Sequence, residues 1–219
     1  TIADWFQQIV TKRNRWLREL SNHIVLVGVD DVARSMLEKL KELNPRSQIV
    51  IIEREIGKAQ AMEFTERYGA KVLAGDITNE FFLSTLRLSR VQRVILASDK
   101  DFDNFEAASQ ILAMRPELAP RMVVHCNRLR FMRMLKSSQV FENCITFNSD
   151  HLAAQHLVQN HMLDYFKSTA QLDTVIIAGF GRFGQTIFEE LMERAKDEIC
   201  DIGIIDIDAD RRILVVKEQ

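Results

Sequence analysis

Short runs of consecutive apolar and β-branched residues recur along the chain, separated by segments whose apolar residues repeat at helical spacing. Ile24–Val27, Ile49–Ile52, Lys71–Ala74, Val94–Ala97, Met122–His125 and Ile145–Phe147 form the runs. Strands with no polar alternation are those of a parallel sheet covered on both faces. The intervening segments predict helices over about 31–43, 55–68, 79–87, 102–114 and 128–136. The first carries Val32, Met36, Leu37, Leu40 and Leu43 on one face and stops at Asn44-Pro45. Residues 22–149 therefore read as one doubly wound α/β domain.

A helix over about 150–166, inside a connecting stretch of 150–172, leads to a restart. Thr174–Gly179 repeats the opening strand and its glycine about 150 residues later, and Ile202–Asp206 repeats the second strand with its terminal acid. Residues 173–219 thus read as the beginning of a second, incomplete Rossmann-like unit, with the preceding helix as a crossover. That helix carries Leu152, Leu157, Met162, Leu163, Tyr165 and Phe166, which need a partner surface on its own second lobe or on a neighbouring subunit. Residues 1–21 have a different pattern. Trp5, Phe6, Ile9, Trp16 and Leu17 alternate with Lys12, Arg13, Arg15 and Arg18, as in a basic amphipathic helix. Two readings stand: a surface helix packing Trp16 on the adjoining domain, or a linker near a membrane, where aromatics and cations gather on the cytoplasmic side. The start at Thr1 suggests a longer parent chain or, equally, processing of the terminus.

Composition then narrows the function classes. Acids and bases nearly cancel, to a net charge of −2, so no basic face marks nucleic acid as a partner. No apolar run approaches the roughly 18 residues that cross a bilayer, so the chain as written is expected to be soluble. Cys126, Cys144 and Cys200 are far apart and odd in number, which fits a reducing cytosol. His125-Cys126 has no second pair at zinc spacing. His151, His156 and His161 stand five residues apart, about 140° of rotation on an α-helix, and are expected on different faces in solvated or capping roles.

The strongest motif lies in the second repeat. Gly179-Phe180-Gly181-Arg182-Phe183-Gly184 is G-x-G-x-x-G between a strand and a helix, with Asp206 ending the next strand. Gly179 permits the tight turn, Gly181 admits a pyrophosphate to the backbone, and Gly184 lets helix approach strand. Free N–H groups at the helix start suit phosphate, while Asp206 accepts from a ribose diol and repels a 2′-phosphate. NAD or another adenine nucleotide is the expected ligand. The first repeat is degraded: in Gly28-Val29-Asp30-Asp31-Val32-Ala33, Asp30 takes the place of the second glycine. Its charge opposes a pyrophosphate, whereas Glu53 keeps the ribose position, so this cleft is expected to refuse a dinucleotide. A nucleoside, a monophosphate or a divalent cation held by Asp30 and Asp31 are the alternatives there.

The order of these elements resembles RCK/KTN domains, the regulators of potassium conductance. Ile24–Gly28, Ile49–Glu53, Val72–Asp76, Val94–Asp99 and Val123–Asn127 carry the resemblance, with Asn104, Ala107 and the Phe147-Asn148-Ser149 turn. The resemblance implies that Gly28, Glu53, Asp76, Ser98 and Asp99 line the first cleft. It also implies tandem units assembled as a ring with copies of themselves on the cytoplasmic face of a membrane, pulling on a potassium pore or transporter when a ligand binds. Two other functions compete. An NAD-dependent oxidoreductase needs a substrate domain and a positioned acid or base, but the second repeat starts where that domain belongs and no His-Asp or Lys-Tyr constellation is evident. No catalytic residue is therefore assigned. A structural assembly domain with vestigial clefts fits the degraded first loop.

Overall fold

The computed structural model describes residues 15–138 and 141–217. The proposed linker residues before Arg15 lie outside the described residues. The chain divides into two compact units that meet at Phe147/Asn148.

The first unit opens with a short 3-10 turn, Arg15–Glu19, that buries Leu17 and packs the half-buried Trp16 beside Lys71. Then come β1 (His23–Val27), α1 (Asp31–Leu43), β2 (Ile49–Glu53), α2 (Lys58–Tyr68), β3 (Lys71–Ala74), α3 (Glu80–Ser84), β4 (Val91–Leu96), α4 (Asp101–Met114), β5 (Met122–His125), α5 (Leu129–Lys136) and β6 (Ile145–Phe147). All strand pairs are parallel, in the order β3-β2-β1-β4-β5-β6. This is the doubly wound Rossmann order, with its switch point between β1 and β4.

Strand periodicity divides the core in two. Val25, Val27, Val50, Ile52, Val94 and Leu96 face one side and pack with Ala107, Ile111, Met132 and Leu135. Ile24, Leu26, Ile49, Ile51 and Ile95 face the other and pack with Ala33, Leu37 and Phe64. Successive side chains of a strand point to opposite faces, so an unbroken apolar run supplies both layers at once.

The second unit begins with α6 (Ser149–Leu157), a π-helical turn (Val158–Met162) and α7 (Leu163–Ser168). Then follow β7 (Asp173–Ala178), α8 (Arg182–Arg194), β8 (Ile199–Ile205) and α9 (Ala209–Lys217), with β7 and β8 paired in parallel. Val158 and Phe166 are buried with Ile177, Phe180 and Leu191, so this stretch of helix packs partly on its own lobe. Leu152 and Tyr165 stay exposed.

The π-turn corrects the expectation for the histidines. Bonds five residues apart widen the turn there, and the His156 and His161 rings meet edge to face with centroids 5.3 Å apart. No helix of the described residues is long and apolar enough to cross a membrane.

Candidate functional site

Open α/β sheets bind ligands at the carboxyl ends of their strands, and each unit has a glycine turn at that edge. In the first, Gly28 turns the chain out of β1 with φ +104°, and its N–H donates to Ile52 O at 3.0 Å. Asp30 follows as the N-cap of α1, its Oδ1 accepting from Ala33 N at 2.9 Å. The carboxylate thus occupies, from within the chain, one of the donors that a phosphate would take. Asp31 is exposed in the first turn of α1. Among the described residues no three His, Cys, Asp or Glu side chains gather as a metal site, and Asp30 acts as a helix cap.

Glu53, Ser98 and Asp99 line one small cleft together with Gly75. Glu53 Oε1 accepts from the next backbone N–H, that of Arg54, at 2.8 Å. The Ser98 backbone is held on both sides by Asn104, whose Nδ2 donates to Ser98 O at 2.8 Å and whose Oδ1 accepts from Ser98 N at 3.2 Å. Asp99 O accepts from Asn127 Nδ2 at 2.7 Å. These bonds tie the β4 and β5 loops together beneath the cleft.

Asp76 has a different position from the one expected of a free ligand group. Its Oδ1 accepts from Thr78 N at 2.9 Å, Thr78 Oγ1 at 2.7 Å and Arg54 Nη2 at 2.9 Å. Burial raises its pKa, but the bonds from Thr78 and Arg54 outweigh this and hold it below the usual carboxylate range. The Arg54 guanidinium also comes within 3.7 Å of Asp103 in the first turn of α4. It therefore spans the mouth of the cleft from the β3 loop to α4. Arg54, Lys100 and Asp103 all line the cleft, and the sequence motifs pointed to none of them.

The second unit builds its glycine loop differently. Gly179 has φ +92° and donates to Ile205 O at 2.7 Å, which pins the loop to the end of β8. A Cβ at Gly184 would lie 2.1 Å from Gly179 O, so the helix approaches the loop as only glycine allows. Gly181 is the N-cap of α8, and no side chain caps that helix. Arg182 and Phe183 in its first turn are exposed. Asp206 receives Asp208 N at 2.9 Å on one oxygen, and Phe180 N at 2.7 Å and Arg212 Nη1 at 3.1 Å on the other. The N–H groups of Asp208 and Phe180, with Arg212 adding less, hold its carboxyl below the usual range. The structure thus brings Gly179, Gly181, Gly184 and Asp206 together and adds Arg212.

A model of the TrkA-N domain family matches residues 24–145, more than half of the chain. The chain belongs to the TrkA-N family. The match covers the first sheet from β1 to the start of β6, so the RCK/KTN resemblance read from the sequence is that of this TrkA-N unit.

Solved structures share the fold. The GsuK channel bound to NAD is 14% identical with a TM-score of 0.63, covering 92% of this chain and 50% of its own. GsuK bound to ADP is 19% identical with a TM-score of 0.60, covering 85% of this chain and 44% of its own. The Shewanella denitrificans Kef CTD in AMP-bound form is 12% identical with a TM-score of 0.52, covering 81% of this chain and 93% of its own. The TrkA-N chain thus spans about half the length of the GsuK chains it matches. Among curated protein sequences none matches it.

Proposed function

We propose that this chain is a nucleotide-sensing regulatory module of a potassium channel or transporter, working on the cytoplasmic face of the membrane. Its ligand is an adenine nucleotide or NAD, and the second unit's loop is the favoured site. The observation that carries this reading is the contrast between the two helix starts. Asp30 caps α1 internally, whereas Gly181 leaves the N–H groups of α8 uncapped by any side chain beside a ribose-accepting Asp206. Solved proteins of the same fold were captured with ADP, NAD and AMP, which fits such a ligand class.

Regulation follows from assembly. Copies of the chain associate, and a ligand in the cleft shifts the assembly that pulls on a pore. Turnover is not part of this function: the clefts bind and release without chemistry.

The test is calorimetric titration of ADP, AMP and NAD into full-length protein and into Gly181→Asp. The substitution puts a carboxylate where phosphate approaches and abolishes second-site binding. Unchanged NAD affinity in Gly181→Asp would refute the assignment. Hydride transfer from NADH to any acceptor would favour an oxidoreductase instead.

One observation favours a second reading, a structural domain with vestigial clefts: Arg54 lies across the first cleft, bonded to Asp76. Full-length protein with no thermal shift from any nucleotide would support it.

A further inference from the structure

Asp206 and Gly181 mark the two ends of the expected ribose-phosphate path in the second unit, and one side chain bonds the first and stands near the second. Arg212 Nη1 donates to Asp206 Oδ2 at 3.1 Å. The same atom lies 3.7 Å from where a Cβ on Gly181 would stand. That point is where the second glycine of the motif lets a phosphate come close.

Lone pairs decide what happens when a nucleotide arrives. A carboxylate offers about four acceptor sites. Three donors already use them: the N–H groups of Phe180 and Asp208, and Arg212. A ribose diol brings two further donors, so one of the three must leave. The two backbone N–H groups are fixed by the loop and by the start of α9. Arg212 alone is a long side chain, about a third exposed at 38%, that can swing. Once released, its guanidinium already stands beside the phosphate approach at Gly181, where a charge-assisted, two-pronged bond to phosphate replaces the one it gave up.

We propose that Arg212 makes the second cleft read phosphate: it covers Asp206 when the site is empty and transfers to the nucleotide phosphate as the ribose takes its place. This deepens, and rests on, the reading of the second unit as an adenine-nucleotide site. A nucleoside displaces Arg212 and gives it nothing in return, while AMP or ADP supplies its new partner. Arg212 thus rejects adenosine as well as retaining nucleotides.

The experiment measures adenosine, AMP and ADP binding by calorimetry to full-length protein, Arg212→Met and Arg212→Lys, with folding checked by circular dichroism. Binding at the first cleft is common to all three proteins and cancels in the comparison. In Arg212→Met, ADP and AMP weaken about tenfold or more, while adenosine is unchanged or up to about fivefold tighter. Arg212→Lys keeps part of the preference, because a point charge replaces the fork. An equal loss for adenosine and ADP, or an unchanged ratio between them, overturns the proposal. A parent protein that binds neither ligand overturns the nucleotide reading of the site, and this proposal with it.

Discussion

Gly28 and Gly179 hold equivalent places in the two units, each ending a first strand, and their backbones are nearly alike at φ +104° and +92°. Their surroundings differ. A Cβ on Gly28 would lie 2.7 Å from Ala97 O and 2.9 Å from Ser98 N, both backbone atoms of the neighbouring β4 end. A Cβ on Gly179 would meet nothing within 4 Å. Alanine at either site bears the strain of a conformation that side chains avoid, about 1–3 kcal/mol. At Gly28 the methyl group must also push β4 away from β1, against the bond from Ala97 N to Val27 O at 2.9 Å. Overpacking of that kind costs about 1–3 kcal/mol more. Gly28→Ala is therefore expected to lose about 2–6 kcal/mol and Gly179→Ala about 1–3 kcal/mol. Hydrogen exchange reads each unit separately, through the β1 and β4 amides for Gly28 and the β7 and β8 amides for Gly179. A loss at Gly28 no larger than that at Gly179 would refute the reasoning, because only the first position has a backbone in the way.

Other expectations follow from single side chains. Burial holds His23 below its ordinary value of 6.5, against the opposing bond between Nε2 and Leu86 O at 3.0 Å. The unfolded chain takes up that proton more readily, so the first unit keeps its full stability above about pH 6.5 and loses some as pH falls toward the folded-state value. Urea unfolding between pH 7.5 and 5, followed by tryptophan fluorescence, measures this, and His23→Gln should flatten the profile. Asp30→Ala removes a cap and costs about 1 kcal/mol, whereas Asp30→Gly costs a few tenths. If Asp30 also screens α1 from anions, Asp30→Gly improves NAD binding in the first cleft, and calorimetry in a Gly181→Asp background checks it. Glu190 is buried between Arg194 Nε at 2.7 Å and His151 Nδ1 at 3.2 Å. Glu190→Ala leaves both without their carboxylate and is expected to cost about 1–3 kcal/mol, seen as faster exchange along α6.

The first sheet was legible because parallel strands advertise themselves as unbroken apolar runs, and six of them alternate with helices. Helix ends were harder. The second helix starts at Lys58 because Gly57 is its N-cap, and the third stops at Ser84, before Arg87 turns to φ +51°. The histidine spacing misled for a plain reason: counting by 3.6 residues assumes an α-helix, and nothing in Val158–Met162 announces the wider turn. Glycine loops and strand-end acids could be named from sequence, since strand position alone puts them on one edge. The cations that cover those acids could not. Arg54 reaches Asp76 and Arg212 reaches Asp206, and in both cases a long side chain chooses its partner by rotamer. Backbone pattern fixes where a side chain starts but not where its charge ends.

That difference bears on how the clefts work. A carboxylate at a strand end attracts a ribose, but left bare it also attracts any cation and repels the phosphate that follows. In both units an arginine neutralises such an acid at the binding edge. In the second, the guanidinium stands near Gly181, so in the proposed mechanism leaving the acid and meeting the ligand are one movement. In the first, Arg54 bonds Asp76 and comes near Asp103, while Asp30 caps the start of α1. Displacing it exposes two carboxylates beside the start of α4, which no side chain caps but where Asp103 already stands. On the proposed reading those carboxylates oppose a phosphate there, so it gains less than at Gly181. If both clefts take a nucleotide as proposed, they differ in which part of it they reward, although the sheet that carries them follows the same pattern.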